Sequence, residues 1–181
     1  MKIKQLGFTI VELLVTIVVI GILTSLVTVA YNGAQDRARD TIRQNDIDAI
    51  TKALEEYYQD HGEYPRGGGS TSINSLWSTT ADSSWENLKT ALADYISVLP
   101  EDPINTQNFN LTNATNPDGR GYAYYSNFNV NYCGAEFSQM YILIYRLDSA
   151  PRKLEHFGDC PTRTLSYEGV ANNSQYRVVR R

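Results

Sequence analysis

Residues 8–30, FTIVELLVTIVVIGILTSLVTVA, constrain this chain more than any other part of it: 23 positions carry a single charge, Glu12. A helix of about 20 apolar residues crosses the hydrocarbon core of a bilayer, so the run is long enough to span one. Seven residues precede it, with Lys2 and Lys4 and no acid. Positive charge ahead of a spanning helix holds that end in the cytoplasm and sends the remainder across. Glu12 is the anomaly, because a carboxylate at membrane depth costs a few kcal/mol and needs a partner or an escape. Either it lies close enough to the cytoplasmic face to reach the headgroups, or cleavage after Gly7 exposes an amine on Phe8 that pairs with it. Gly7 suits a cut site, since a missing side chain lets a protease approach the backbone. A secretory signal peptide has a shorter apolar core, of about 7–15 residues, and has no use for Glu12. An uncut anchor on an exported domain is the remaining reading of this stretch alone.

A short basic leader ending in Gly7, then Phe8-Thr9-Ile10-Val11-Glu12-Leu13 and an unbroken apolar run, resembles the signature of type IV pilins and of type II secretion pseudopilins. The resemblance implies a leader of residues 1–7, cleavage between Gly7 and Phe8 by a prepilin peptidase, and N-methylation of Phe8. It further implies that Glu12 neutralises the Phe8 amine of an adjacent copy as a helical filament grows. An inner-membrane platform protein and an assembly ATPase are the other implied partners. Before assembly such a chain is a single-pass inner-membrane protein with an extracytoplasmic head; afterwards it belongs to a surface filament. Many pilins carry a proline late in the apolar helix. Here Gly21 is the only breaker before Gly33, so any melting on assembly is expected at Gly21.

Beyond residue 30 the helix is expected to continue as an amphipathic half, residues 31–62. Ala34, Ala38, Ile42, Ile50, Ala53, Leu54 and Tyr57 recur at three-to-four spacing. Asp36, Arg37, Arg39, Asp40, Arg43, Asp46 and Asp48 then fall on the other faces. Gly62 suits a C′ cap and Pro65 bars continuation. Residues 63–181 form the head. Its Arg66-Gly67-Gly68-Gly69-Ser70-Thr71-Ser72 run reads as a flexible loop; it lacks the lysine–hydroxyl pair and following helix of a phosphate cradle. A short helix over 84–98 is expected, opened by a Ser83–Glu86 capping box, with Trp85, Leu88, Leu92, Tyr95 and Ile96 on one face. Residues 104–119 are rich in Asn and Thr and read as an exposed loop. From about 121 to 181 the texture is that of strands, at 122–126, 139–146, 162–167 and 175–179. The expected fold is α+β and pilin-like: a long N-terminal helix, half transmembrane and half amphipathic, packed on a small antiparallel β-sheet head.

Reactive groups do not converge. His61 and His156 are the only histidines, and no HExxH, GxSxG or CxxC spacing occurs, so an enzyme is not expected. The net charge of −4 becomes −6 once Lys2 and Lys4 are removed, which disfavours a general affinity for nucleic acid. The basic end, Arg177, Arg180 and Arg181, is read as solvated or as pairing with acids on another copy. Thirteen tyrosines against five phenylalanines suit half-exposed sheets and subunit contacts. Cys133 and Cys160 fall in the exported part, where an even pair reads as one disulfide closing a loop of about 28 residues, worth roughly 3 kcal/mol; two buried free thiols are the alternative. No cofactor is expected. Some pseudopilins hold calcium in a loop of the sheet domain, and Asp118 with Glu101 and Asp102 supplies the ingredients here, though turn chemistry accounts for them as well. The chain is thus expected to be a structural subunit of a type IV pilus-like filament. A major pseudopilin of a type II secretion system is the alternative within the family. A membrane-anchored extracytoplasmic binding protein or enzyme that does not assemble is the alternative outside it.

Overall fold

The computed structural model describes residues 9–112, 118–126, 136–149, 153–157 and 174–180. The chain divides into two compact units, Met1–Ala38 and Arg39–Arg181. Helix α1, Ile10–His61, contributes to both. It ends as the sequence predicts: Gly62 takes φ +70 and its N–H donates to the Tyr58 carbonyl at 2.8 Å. A left-handed residue costs glycine nothing, and the bond satisfies one of the helix's last carbonyls. Gly21 and Gly33 both lie within the helix and do not interrupt it.

In the second unit a five-stranded sheet runs in the order β1-β2-β3-β5-β4. The strands are β1 Trp77–Thr79, β2 Ala123–Ser126, β3 Met140–Arg146, β4 Lys153–Phe157 and β5 Ser174–Arg180. Pairings β1–β2, β2–β3 and β3–β5 are antiparallel, whereas β4 joins β5 in parallel. The wholly buried β3 forms the middle of the sheet, as its unbroken run of β-branched and aromatic residues predicts. Strands β1 and β4 depart from the sequence reading. Three residues of a Ser/Thr-rich stretch give no periodic signal, and β4 falls between the strands expected at 139–146 and 162–167. The strand expected at 162–167 lies outside the described residues.

The core joins Ile47, Ile50, Ala53 and Leu54 of α1 to Trp85 and Leu88 of α2 (Trp85–Ala91) and to Tyr122, Tyr124, Tyr141, Leu143 and Val179 around the sheet. Two of the buried tyrosines carry their hydroxyls to acceptors: Tyr124 donates to the Pro65 carbonyl at 2.6 Å and Tyr122 to Asp46 at 2.7 Å. Helix α2 is shorter than expected and is not opened by a capping box. Its N-cap is Ser84, which makes no side-chain cap bond. The Ser84 hydroxyl accepts from the Thr79 N–H instead, and Glu86 pairs with Lys89.

The buried face of α1 also departs from expectation. Ala34, Ala38 and Ile42 are exposed, whereas Asp40 and Arg43 are buried. The covered stripe therefore runs Asp40, Arg43, Ile47, Ile50, Leu54, a three-to-four period that begins in charged residues.

The glycine–serine run is fixed rather than flexible. Ser70 and the Thr71 and Ser72 N–H groups donate to one oxygen of Asp82, and the Ser84 N–H donates to the other. Burial would raise the Asp82 carboxyl, but these bonds outweigh it and hold the group well below the usual range. Gly69 sits at φ +88, where an added Cβ would meet the Asn87 amide at 2.9 Å. Gly69→Ala is therefore expected to destabilise the head by about 1–2 kcal/mol, read as a lower denaturant midpoint at unchanged slope.

Candidate assembly site

Between Ile10 and Val27 the helix of the first unit carries apolar side chains on every face. Twelve large hydrophobic side chains between Ile10 and Val27 are each 48–78 % exposed. Fully burying one such side chain is worth about 1.5–3 kcal/mol, so leaving twelve half-wet costs on the order of 10–20 kcal/mol. A helix apolar on every face is normally covered. Among the described residues no helix is long and apolar enough to cross a membrane. The longest part of the run with every side chain described is residues 9–25.

The helix opens on a reciprocal cap that the sequence reading did not identify. The Thr9 N–H and hydroxyl both donate to Glu12 Oε2, at 2.8 and 2.7 Å, and the Glu12 N–H reaches Thr9 Oγ1 at 3.3 Å. Thr9-x-x-Glu12 is a capping box, which satisfies N–H groups that have no intrahelical partner. The spacing of Thr9 and Glu12 carries that signal. Gly21 has open space around its Cα, with nothing within 4 Å of an added Cβ. Gly7 and Phe8 lie outside the described residues, as do Cys133 and Cys160.

In the second unit the most concentrated chemistry is ionic. The fully buried Arg43 donates through Nε and Nη2 to both oxygens of Asp102, at 2.6 and 3.3 Å, and through Nη1 to Asp40 at 3.0 Å and Asp148 at 2.8 Å. Asp148 also accepts from Arg39 at 2.9 Å and Arg120 at 2.7 Å. Asp40 in turn caps the turn after β3, accepting from the Asp148 and Ser149 N–H groups. Burial works against the Arg43 charge, but the bonds to and charges of Asp102 and Asp148 outweigh it and raise its pKa above the ordinary value. Burial would likewise raise Asp148, and three arginines instead pull it well below the usual carboxylate range. The opposite holds for Asp46, which burial and the charge of Asp102 push upward against the Tyr122 hydrogen bond. These six residues tie α1 to the segments after α2 and after β3.

His61 ends α1 with Nδ1 3.0 Å from the Tyr57 carbonyl and its ring stacked on Tyr57. His156 lies in β4 opposite Val178. The loop at 104–119 is not simply exposed, since Leu111 is fully buried and Phe109 half-buried. The acids considered for calcium do not converge there. Both Asp102 oxygens face Arg43, and one also accepts the Ile104 and Asn105 N–H groups. Glu101 accepts from the Asn105 amide, and Asp118 is exposed and engaged elsewhere. Among the described residues no three His, Cys, Asp or Glu side chains are grouped to hold a metal ion.

Comparison with known proteins adds to this geometry. Residues 2–28 match the prokaryotic N-terminal methylation motif, and residues 30–127, more than half of the chain, match the family described as type II secretion system protein G. The type II secretion system core protein G of Aeromonas hydrophila is 34% identical over 104 residues, covering 56% of this chain and 69% of that protein. The core protein G of Pseudomonas aeruginosa is 40% identical over 62 residues, 34% of this chain and 44% of that protein. A fimbrial protein of Neisseria meningitidis is 33% identical over 75 residues, 41% of this chain and 44% of that protein. The chain thus spans less than half of the length of two of these three relatives. No solved structure matches it. The family match ends one residue beyond β2, so β3, β4 and β5 lie past it. With the methylation motif ahead of it, this match makes the chain a member of the type II secretion system protein G family of pilin-like proteins.

Proposed function

We propose that this chain is the structural, non-enzymatic subunit of a secretion pseudopilus, polymerised through the apolar half of α1. The reading rests on one observation: twelve large apolar side chains on all sides of a single helix stand exposed. A bilayer covers them before assembly and neighbouring copies cover them afterwards. This makes the precursor a single-pass inner-membrane protein with its head outside the cytoplasm. Lipid is as apolar as leucine, so moving such a helix from membrane to fibre gains no hydrophobic free energy. What drives the transfer must come from close packing, from charge neutralisation at Glu12 and from an external source such as an assembly ATPase acting with a platform protein. The names of the protein G relatives favour a secretion pseudopilus. The fimbrial relative supports a second reading, a surface type IV pilus, and fibres sheared from cells grown at native expression would support that one.

Processing is the direct test. The mature protein is expected to begin at N-methylated Phe8, having lost residues 1–7, when its intact mass and terminal sequence are determined. Recovery of native protein that still begins at Met1 and never enters a fibre would instead favour an uncut anchor carrying a non-assembling head.

A further inference from the structure

We propose that the loop between α2 and β2 is held by an arginine of the chain itself, Arg146, acting as a built-in cation, and needs no calcium to fold. This rests on the head alone and is independent of whether the chain forms a pseudopilus, a pilus or no filament. Arg146 is the last residue of β3 and is fully buried. Its Nη1 donates to the Gly119 carbonyl at 3.2 Å and its Nη2 to the Leu111 carbonyl at 3.1 Å. Its guanidinium carbon lies 4.9 Å from the centre of the Phe109 ring, within the range of a cation–π contact. A Cβ on Gly119 would overlap the Phe109 ring at 2.0 Å, so ring, backbone and guanidinium form one close-packed stack. One charged side chain thus gathers two carbonyls and an aromatic face from both flanks of the loop.

Calcium in a protein loop does the same work by drawing in about 6–8 oxygens, from carboxylates and carbonyls. Here the carbonyls at 111 and 119 already face a fixed positive charge. The nearby carboxylates are engaged as well, Asp102 with Arg43 and Asp148 with Arg39, Arg43 and Arg120. Arg120 adds a second clamp, since its backbone exchanges bonds with Thr106, N–H to Oγ1 at 3.0 Å and carbonyl from N–H at 2.7 Å. A dication brought beside Arg146 and Arg120 would meet repulsion rather than free ligands. Arginine suits the post because it stays charged when buried and offers five N–H donors in a fixed fork.

The test uses the full-length protein in detergent micelles. Melting midpoints with calcium chloride and with a calcium chelator are expected to agree within about 1 °C, where a saturating ligand raises the midpoint by several degrees. Arg146→Met is expected to lower the midpoint by about 5 °C or more and to speed tryptic cleavage after Arg120 about tenfold or more. Arg146→Lys should fall between, because one ammonium is a point charge and does not reproduce the fork. A wild-type midpoint that climbs with calcium overturns the proposal. So does an Arg146→Met loop as resistant to trypsin as the wild type. If neither variant folds, the calcium comparison on the wild type decides by itself.

Discussion

Glu12→Ala is expected to leave cleavage after Gly7 intact and to reduce filament formation a hundredfold or more, with Glu12→Gln failing almost as completely. One role of this carboxylate is observed and a second is proposed, and the pair of variants separates them. In the isolated chain Glu12 closes a cap with Thr9. A glutamine keeps an oxygen that can accept the Thr9 N–H, so the capping box survives that substitution. What it loses is the charge. Two opposite unit charges about 4 Å apart at an effective dielectric constant of about 20 attract by about 4 kcal/mol, close to a factor of a thousand in an equilibrium constant. Since lipid-to-fibre transfer supplies no hydrophobic gain, a term of that size at each added subunit would, on the proposed pairing, decide whether a fibre grows. The measurement is the fraction of mature subunit recovered in sheared or cross-linked filaments. Normal fibres from Glu12→Gln together with defective ones from Glu12→Ala would assign Glu12 to the cap alone. Normal fibres from both would remove the charge-pairing role.

The features legible in the sequence are those whose cause is local. Gly62 at the end of α1 and the unbroken run of β3 each announce themselves within a few residues. The positions that misled are those whose partner is distant. Arg43 carries the helical period of the buried face, but its burial depends on Asp102, 59 positions away, and Asp148, 105 positions away. Without them a charged residue on a helix reads as a solvated one. The glycine–serine run is similar, for its order comes from Asp82 and not from its own composition. Two instances of the same capping pattern make the limit plain. Thr9-x-x-Glu12 forms the box, whereas Ser83-x-x-Glu86 does not, because Asp82 and Thr79 engage Ser84 and shift the cap by one residue. Spacing offers the cap; the neighbouring loop decides it.

Arg43→Met is expected to cost the head about 3–5 kcal/mol, out of the 5–15 kcal/mol typical of a whole domain, and to lower the melting midpoint by about 10 °C or more. The side chain that replaces it is of similar length and apolar, so the loss comes from what Arg43 leaves behind. Asp102 is fully buried and would retain only the Ile104 and Asn105 N–H groups. Asp40 and Asp148 would face it without the cation between them, although Asp148 keeps Arg39 and Arg120. The pH dependence gives the mechanism a signature of its own. In the wild type the Asp148 carboxyl is depressed, so its contribution is fully present above the unfolded pKa of about 3.9 and fades as pH falls below it. In the variant Asp148 loses one of its three cations, so its folded pKa lies closer to the unfolded value and protonation costs the folded state less. The gap in stability between the two proteins should therefore shrink as pH is lowered from about 5 to about 2. Urea denaturation of both proteins across that range measures it, and a gap that stays constant would mean that Arg43 acts through packing of its stem and not through its charge. Arg43→Lys should recover part of the loss, since an ammonium neutralises the acids but does not bridge Asp102, Asp40 and Asp148 at once.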